Sequence, residues 1–512
     1  MSFRLLSVAE MLAVEQKADA AGFSHASMME HAGRNLADLI DLAYSHKPDK
    51  TITALVGKGN NGSDALIALE HLAERGWKVS AILIQPRSRD DALLARVGKV
   101  VALAENAGRP DAFELLDNAD IVLDGVLGTG IRLPLRVDLA EMLDLVKAHI
   151  QGVERKPIII AVDCPSGVDC DTGAAASQTI PAHLTVCMGA MKAGLLAFPA
   201  FDLAGEIRLV GIGLPDDFQP LQVHHRIVLD ADYAQLHLPP RPKDAHKGTF
   251  GKALIVGGSR HYLGAPILAG RAAFRSGAGW VEIALPQSAY EIMASSFPES
   301  TWNPLPELGG GIAPDALPQL QSRMERVSAM LIGPGIGDQP AVGEFLLGVL
   351  NMIDDIRLVL DADALRHLAA IPDWPTLLPP DTILTPHPGE MSTLTGLSVQ
   401  GIQTDRIAIA EQYAELWNCA IVLKGAFTVC AAPGERTTIL PIATPALARA
   451  GTGDVLAGLI TGLRAQGQAA FEAASIAVWI HAQAGIAAAQ KRGGDAAVLA
   501  GDLINEIGYF ID

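Results

Sequence analysis

Apolar and polar positions along this chain follow two alternating periods. Residues 7–43 repeat their apolar positions at helical spacing, and residues 63–75 do so again. Around them lie short apolar runs of strand length: Thr51–Val56, Val79–Ile84, Ile121–Leu123 and Pro157–Val162. Strands alternating with helices predict a parallel sheet with helices on both faces. Right-handed crossovers then bring the loops after the strands to one edge, where ligands bind. From Leu214 to Pro242 the pattern loses regularity and prolines accumulate, the best candidate for a domain boundary. The alternation restarts with runs at Ala253–Val256, Trp280–Leu285, Ala329–Ile332, Arg357–Leu360, Thr382–Leu384 and Ala420–Leu423. Two consecutive α/β domains are the simplest account of 512 residues.

Composition narrows the class. Hydrophobic residues make up 49% and charged residues 19%, so the chain is globular. Its net charge of −18 argues against a general nucleic-acid binder or a binder of anionic membranes. Anionic small molecules stay open, because local N–H nests hold phosphate inside an acidic protein. The five cysteines (Cys164, Cys170, Cys187, Cys419 and Cys430) form no CxxC and are expected as buried thiols. Glu10, Glu15, Lys17 and Asp19 follow the first apolar residues, unlike a signal peptide, and no apolar run is of bilayer length. A soluble cytoplasmic protein is expected. The alanine-rich stretch 467–490 suits a partner subunit or internal burial equally, and a homo-oligomer is expected.

The strongest candidate chemistry lies at Arg449-Ala-Gly-Thr-Gly-Asp-Val-Leu-Ala-Gly458. Two glycines let backbone N–H groups close around an anion, and the following helix adds its positive dipole end. Asp454 then stands where a substrate hydroxyl would meet a transferring phosphoryl group, as a base for its proton. A glycine-rich helix cap explains Gly-x-Gly alone; the adjoining aspartate favours function. In the first half, three strand ends carry polar clusters: Asn60-Asn61-Gly62-Ser63-Asp64, Asp124 to Gly130, and Val162 to Gly167. Each alone is a weak signal that a plain turn explains as well as function does, since turns after buried strands often need Gly, Asp and Pro, but all three fall on one predicted sheet edge. Oxygen ligands from Asn61, Asp124 and Ser166 would suit a hard cation rather than zinc. Asp361 and Asp363 end another buried strand, where they either organise metal and phosphates or cap the next helix.

In order along the chain, several stretches resemble one family, the bifunctional NAD(P)H-hydrate repair enzymes. They are Met28-Met29-Glu30-His31-Ala32-Gly33, Gly59 to Gly62, Val162 to Gly167, His246-Lys247-Gly248, Gly333 to Gly337, Pro386 to Glu390 and Ala450 to Asp454. The resemblance implies a Rossmann-like three-layer epimerase domain (YjeF N-terminal type) over 1–222. A ribokinase-like ADP/ATP-dependent dehydratase domain would follow over 223–512. Water added across a ring double bond of NADH or NADPH gives R and S hydrates that cannot transfer hydride. The first domain would interconvert them, and the second would phosphorylate the S form and expel phosphate.

The resemblance also implies residue roles. Asn60, Asn61, Gly62, Ser63 and Asp64, with Gly128, Thr129, Gly130, Ile131, Arg132, Leu133 and Pro134, would hold the dinucleotide. Asp163 would contact the hydrate and do acid/base work, and Asn61, Asp124 and Ser166 would bind K+. In the second half, Ala265, Gly335 and His387 would hold the hydrate, His387 having a plain alternative as a satisfied loop histidine. Lys424, Gly425, Ala426, Phe427, Thr428 and Gly453 would hold the nucleotide, ADP or ATP with Mg2+, and Asp454 would be the base. Where the family's usual run is Asn-Asn-Gly-Gly-Asp-Gly, this chain has Ser63 and Ala65. At positive φ each would cost about 1 kcal/mol or more, whereas inside a helix both are harmless. A small-molecule kinase and a non-catalytic N-terminal binding module are the competing readings.

Overall fold

A computed structural model describes residues 3–47, 49–88, 91–103, 108–434 and 436–511. The chain divides into two compact units between Arg226 and Ile227, inside the irregular segment.

The first unit holds strands β1 (Thr51–Val56), β2 (Lys78–Leu83), β3 (Val100–Ala102), β4 (Ile121–Gly125), β5 (Ile158–Val162), β6 (Leu184–Met188) and β7 (Glu206–Val210). They form one sheet in the order β3-β2-β1-β4-β5-β6-β7, parallel at every pairing. The central strands read as continuous apolar runs because both faces are covered. Ile52, Ala54, Val56, Ile121, Leu123, Ile160 and Val162 enter one core, with helices α1 (Val8–Ala20), α2 (His25–Tyr44) and α3 (Asn60–Glu74). Leu55, Val122, Ile159 and Ala161 enter the other, against helices Arg109–Asp117 and Val137–Gly152. This is the expected three-layer arrangement.

Residues 7–43 form two helices rather than one. Gly22 turns the chain at φ 99, and the Ser24 hydroxyl caps the second helix by accepting from Ser27 N–H. α3 starts at Asn60, so Ser63 and Ala65 sit in a helix with ordinary φ. The two replaced glycines therefore carry no backbone strain. Gly62 is different: a Cβ there would lie 2.3 Å from the Gly57 carbonyl oxygen.

The second unit holds β8 (Arg226–Val228), β9 (Lys252–Val256), β10 (Trp280–Pro286), β11 (Thr301–Leu305), β12 (Ala329–Ile332), β13 (Arg357–Leu360), β14 (Ile383–Leu384), β15 (Ala420–Leu423), β16 (Val429–Ala431) and β17 (Thr437–Ile439). Their order is β8-β17-β16-β15-β14-β13-β12-β9-β10-β11. Pairings are parallel from β11 to β15 and antiparallel from β15 to β17. Helices α4 (Ala265–Arg275), α5 (Pro388–Thr395), α6 (Thr452–Ala465) and α7 (Ala470–Arg492) concern the site and its support. α6 is buried almost throughout. Gly458 and Gly462, one helical turn apart, let it lie against the backbone of α4; a Cβ on Gly458 would fall 2.1 Å from the Ala269 oxygen. The alanines of α7 are spent inside this unit, where most of them are buried in the same core. Among the described residues no helix is long and apolar enough to cross a membrane.

Candidate functional site

In the first unit the ends of β1, β4 and β5 meet where the strand order reverses, the usual ligand position of such sheets. The Asn61 amide donates to the Leu127 carbonyl at 3.3 Å and to the Val162 carbonyl. Gly128 makes room for it, since a Cβ there would fall 2.2 Å from Asn61 Oδ1. The Asp124 carboxylate accepts from Ser166 N–H at 2.8 Å and from the Ser166 hydroxyl. Ser166 Oγ in turn accepts from Leu127 N–H at 2.8 Å. Asn61, Asp124 and Ser166 thus gather around one turn. Burial raises the Asp124 pKa, against hydrogen bonds from Ser166 and Val126. Its described partners are all neutral donors, which leaves a buried acid without a countercharge.

Beside this turn lies a cavity of about 360 Å3, walled by Asn60, Asn61, Asp64, Thr129 and Asp163 among others. Gly62, Ser63, Gly128 and the loop Gly130–Pro134 are not on its wall; Ser63 instead accepts from Arg87 at 3.0 Å. Asp163 is held at φ 65, a left-handed conformation that costs an aspartate free energy. Its carboxylate accepts from Met188 N–H at 3.0 Å and pairs with the Lys192 ammonium. Lys192 is 1% exposed and also donates to the Met188 carbonyl at 3.0 Å. Burial works against its charge, but Asp163 dominates and lifts its pKa above the ordinary lysine value. Asp64 is pushed up to about 8, first by burial and then by Asp163 and Glu15. Glu15, on the same wall, is raised by burial as well.

Sequence reasoning missed Lys192 and Glu15. The available signal was weak: Lys192 is the one charged residue between Cys187 and Ala197. Nothing local says that a strand will bury it against Asp163.

In the second unit the loops after β9 and β12 run together, with Gly258 N–H donating to the Pro334 carbonyl at 2.8 Å. Gly335, at φ 60, approaches Ala265 so closely that its Cβ would lie 3.1 Å from that of Ala265. His387 caps α5: its Nδ1 accepts from Gly389 N–H at 2.9 Å and Glu390 N–H at 3.1 Å. The capping role is therefore present, and the half-exposed ring also places Nε2 3.4 Å from the Glu390 carboxylate.

Lys424 directly follows β15 and sends its ammonium 2.6 Å from Asp361 and 3.6 Å from Glu390. Thr385 also donates to Asp361, at 2.7 Å. Gly425 and Phe427 take positive φ, and Arg406 donates to the Leu423 and Lys424 carbonyls beneath this turn. A Cβ on Gly453 would lie 3.6 Å from Lys424 Nζ, which brings the two candidate nucleotide segments together. Next to Gly453, Asp454 lies in the first turn of α6 and is pushed up to about 7, chiefly by burial, then by Asp361, with Lys424 opposing. His481 on α7 bonds the Thr452 carbonyl at 2.9 Å; burial lowers it to about 4, so it supports this turn as a neutral ring. Glu390 and Arg406 were not anticipated. Asp363 accepts from Gly337 N–H at 3.2 Å and ties two loops together. A cavity of about 1060 Å3 near Lys247 and Trp280 opens at the opposite ends of β9 and β10, and no expected site residue lines it.

The sequence family described as NAD(P)H-hydrate dehydratase matches residues 253–508, and that described as YjeF-related protein N-terminus matches residues 25–194. The bifunctional NAD(P)H-hydrate repair enzyme Nnr of Moorella thermoacetica is 35% identical over 495 residues, covering 94% of this chain and 92% of the relative. This chain belongs to that family. The enzyme of the same name from Salinibacter ruber is 37% identical, over 92% of this chain and 89% of the relative. The solved ADP/ATP-dependent NAD(P)H-hydrate dehydratase of Bacillus subtilis, co-crystallised with ATP and Mg2+, is 31% identical with a TM-score of 0.47. It covers 55% of this chain and 96% of its own. The chain therefore pairs an epimerase and a dehydratase for hydrated NADH and NADPH, and the kinase and binding-module readings fall away.

Proposed function

We propose that Asp454 is the base of the dehydratase and that ADP, with ATP as the alternative donor, supplies the phosphoryl group. The S-hydrate's ring hydroxyl attacks the terminal phosphorus, the bond to the departing nucleotide breaks, and the hydroxyl proton passes to Asp454. The ring nitrogen's lone pair then expels phosphate, and the neighbouring carbon loses a proton to restore the double bond. Hydroxide would leave poorly; phosphate leaves well. Ala265, Gly335 and His387 hold the hydrate, while Lys424 through Thr428 and Gly453 hold the nucleotide. Mg2+ would neutralise charge on the phosphates when bound, and Asp361, with Glu390, offers the carboxylates for it. The observation that carries this reading is the juxtaposition of Asp454 and Gly453 with the Lys424–Asp361 pair.

In the first unit, Asn60 through Asp64 and Gly128 through Pro134 hold the dinucleotide, and Asp163 does acid/base work on the hydrate. The all-oxygen set of Asn61, Asp124 and Ser166 fits K+, which would supply the charge that Asp124 lacks. Five buried, unpaired thiols suit a reducing compartment, the cytoplasm, and a homo-oligomer is the expected assembly, tested by solution mass. The deciding assay gives the full chain mixed R and S hydrates with ADP or ATP and follows dihydronicotinamide absorbance. Complete recovery with ADP is expected. Recovery with ATP alone would overturn the donor assignment, and recovery of half the material would overturn a working epimerase.

A further inference from the structure

Five ionisable groups line the 360 Å3 cavity from five different segments: Glu15 on α1, His25 at the start of α2, Asp64 on α3, Asp163 after β5 and Lys192 beyond β6. Three are acids; of the two bases, His25 is exposed and the buried one, Lys192, is already committed. Lys192 is buried against Asp163, and both are fastened to the backbone of Met188. A buried ammonium persists only beside an anion, and a buried carboxylate only beside a cation. The pair is therefore ionised as a unit. Asp64 has the opposite surroundings. It is 8% exposed, no described donor reaches its carboxyl, and its charged neighbours are mostly acidic.

We propose that Asp64 is a further catalytic residue of the epimerase, the group that gives the departing hydroxyl its proton, and that Lys192 is a positioning residue that holds the Asp163 carboxylate in place as the complementary base. The inference rests on the epimerase reading of this cavity. The hydrate carries its hydroxyl on the carbon next to the ring nitrogen. The nitrogen lone pair forms a C=N bond, the C–O bond breaks with its electrons going to oxygen, and the Asp64 proton makes that oxygen water. The cationic ring is left beside the Asp163 carboxylate. Water adds to the other face, the C=N pair returns to nitrogen, and the surplus proton goes to Asp163. A proton on newly bound water is strongly acidic, so even a carboxylate paired with an ammonium accepts it. Solvent returns the proton to Asp64, and the reverse reaction exchanges the two roles.

The titration of Asp64 supports this division, because a carboxyl raised to about 8 is still protonated at neutral pH. Its surroundings are accounted for on every side. α1 supplies Glu15, the β5 end Asp163, and the segment beyond β6 Lys192. α2 places His25 on the wall and turns Glu30 away to His71. β4 supplies Asp124, which is engaged by Ser166, and Arg87 beyond β2 is engaged by Asp91 and Ser63.

The test measures R-to-S exchange by chromatography, without nucleotide, in full-length wild type, Asp64→Asn, Asp163→Asn, Lys192→Met and Lys192→Arg. Circular dichroism checks the fold, and dehydration of pure S-hydrate normalises active protein. Asp64→Asn, nearly isosteric, is expected to slow exchange ~10²-fold or more and to abolish the loss of rate at alkaline pH. Lys192→Met removes the cation that holds the Asp163 carboxylate in place and is expected to lower kcat for exchange at least ~tenfold with KM little changed; Lys192→Arg restores much of the rate. Exchange within threefold of wild type in Asp64→Asn overturns the acid assignment. A Lys192→Met kcat within threefold of wild type, or no rescue by Lys192→Arg, overturns the positioning role. If Asp163→Asn also exchanges normally, the fault lies in the reading of the whole cavity; if it alone is inactive, only the roles of Asp64 and Lys192 fail.

Discussion

The two units, unrelated in strand order, carry the same electrostatic device and use it differently. Each buries a lysine against an aspartate beside a strand end: Lys192 on Asp163, and Lys424 on Asp361. Each sets near that pair a second aspartate on the helix after a glycine-containing turn, Asp64 at about 8 and Asp454 at about 7. Left-handed non-glycine residues mark both strand ends, Asp163 itself and Ala362 next to Asp361. The difference is exposure. The Lys192 side chain is 2% exposed and committed to one carboxylate, whereas that of Lys424 is 17% exposed and shared between Asp361 and Glu390. A sealed ammonium regulates proton affinity; an accessible one can also meet a phosphate. The buried pair alone therefore says little about chemistry. What distinguishes the sites is whether the cation has a free direction.

This comparison breaks most sharply at the two aspartates proposed to move protons. Asp454→Asn is expected to lower nucleotide-driven recovery of S-hydrate by ~10²–10⁴-fold with R/S exchange unchanged. Asp163→Asn should do the converse, slowing exchange by a similar factor while pure S-hydrate is dehydrated normally. Equal loss of both activities in either variant would refute two independent sites.

The pH profile sharpens the comparison. Asp454 must be a carboxylate to act as base, and its pKa is raised to about 7. kcat/KM for dehydration is therefore expected to be flat above pH 7 and to fall tenfold per unit below it. Lys424 opposes the rise, so Lys424→Met should move that limb to higher pH; a limb that stays put would separate Lys424 from the base.

A smaller effect is expected at the proposed cation turn. Asp124→Asn removes the buried charge and should abolish any stimulation of exchange by K+ over Na+, with a loss of about tenfold in rate. Undiminished K+ stimulation would sink the ligand assignment. Smallest are the helix-start substitutions. Gly62→Ala meets the Gly57 carbonyl and should cost ~1–3 kcal/mol in thermal unfolding. Ala65→Gly should cost ~0.5–1 kcal/mol through helix propensity without a gain in exchange. Faster exchange in Ala65→Gly would show that the third glycine of the family's run has a catalytic purpose.

Much of this protein was legible from its residues in order. Continuous apolar runs identified the central strands, with Ala329–Ile332, Arg357–Leu360 and Ala420–Leu423 read to the residue, because a strand buried on both faces needs nothing but apolar side chains. β3, β6, β7, β8, β11 and the antiparallel β16 and β17 passed unnoticed. All but β6 are short or half-exposed strands whose pattern resembles a loop until a neighbour pairs with them; β6 is buried throughout, but Thr185 interrupts its apolar run. The clusters at Asn61, Asp124, Asp163 and Asp454 were visible because turns after strands concentrate small and polar residues where ligands bind.

The sequence by itself determined the class, the two-domain order, the family and the loops that carry chemistry, since these depend on local pattern and on motifs in series. Tertiary structure alone decided which charges oppose one another. Lys192 lies 29 positions from Asp163, and Lys424 lies 63 positions from Asp361. Proton affinity depends on burial and on distances of a few ångströms in space, and neither is a property of neighbours along the chain.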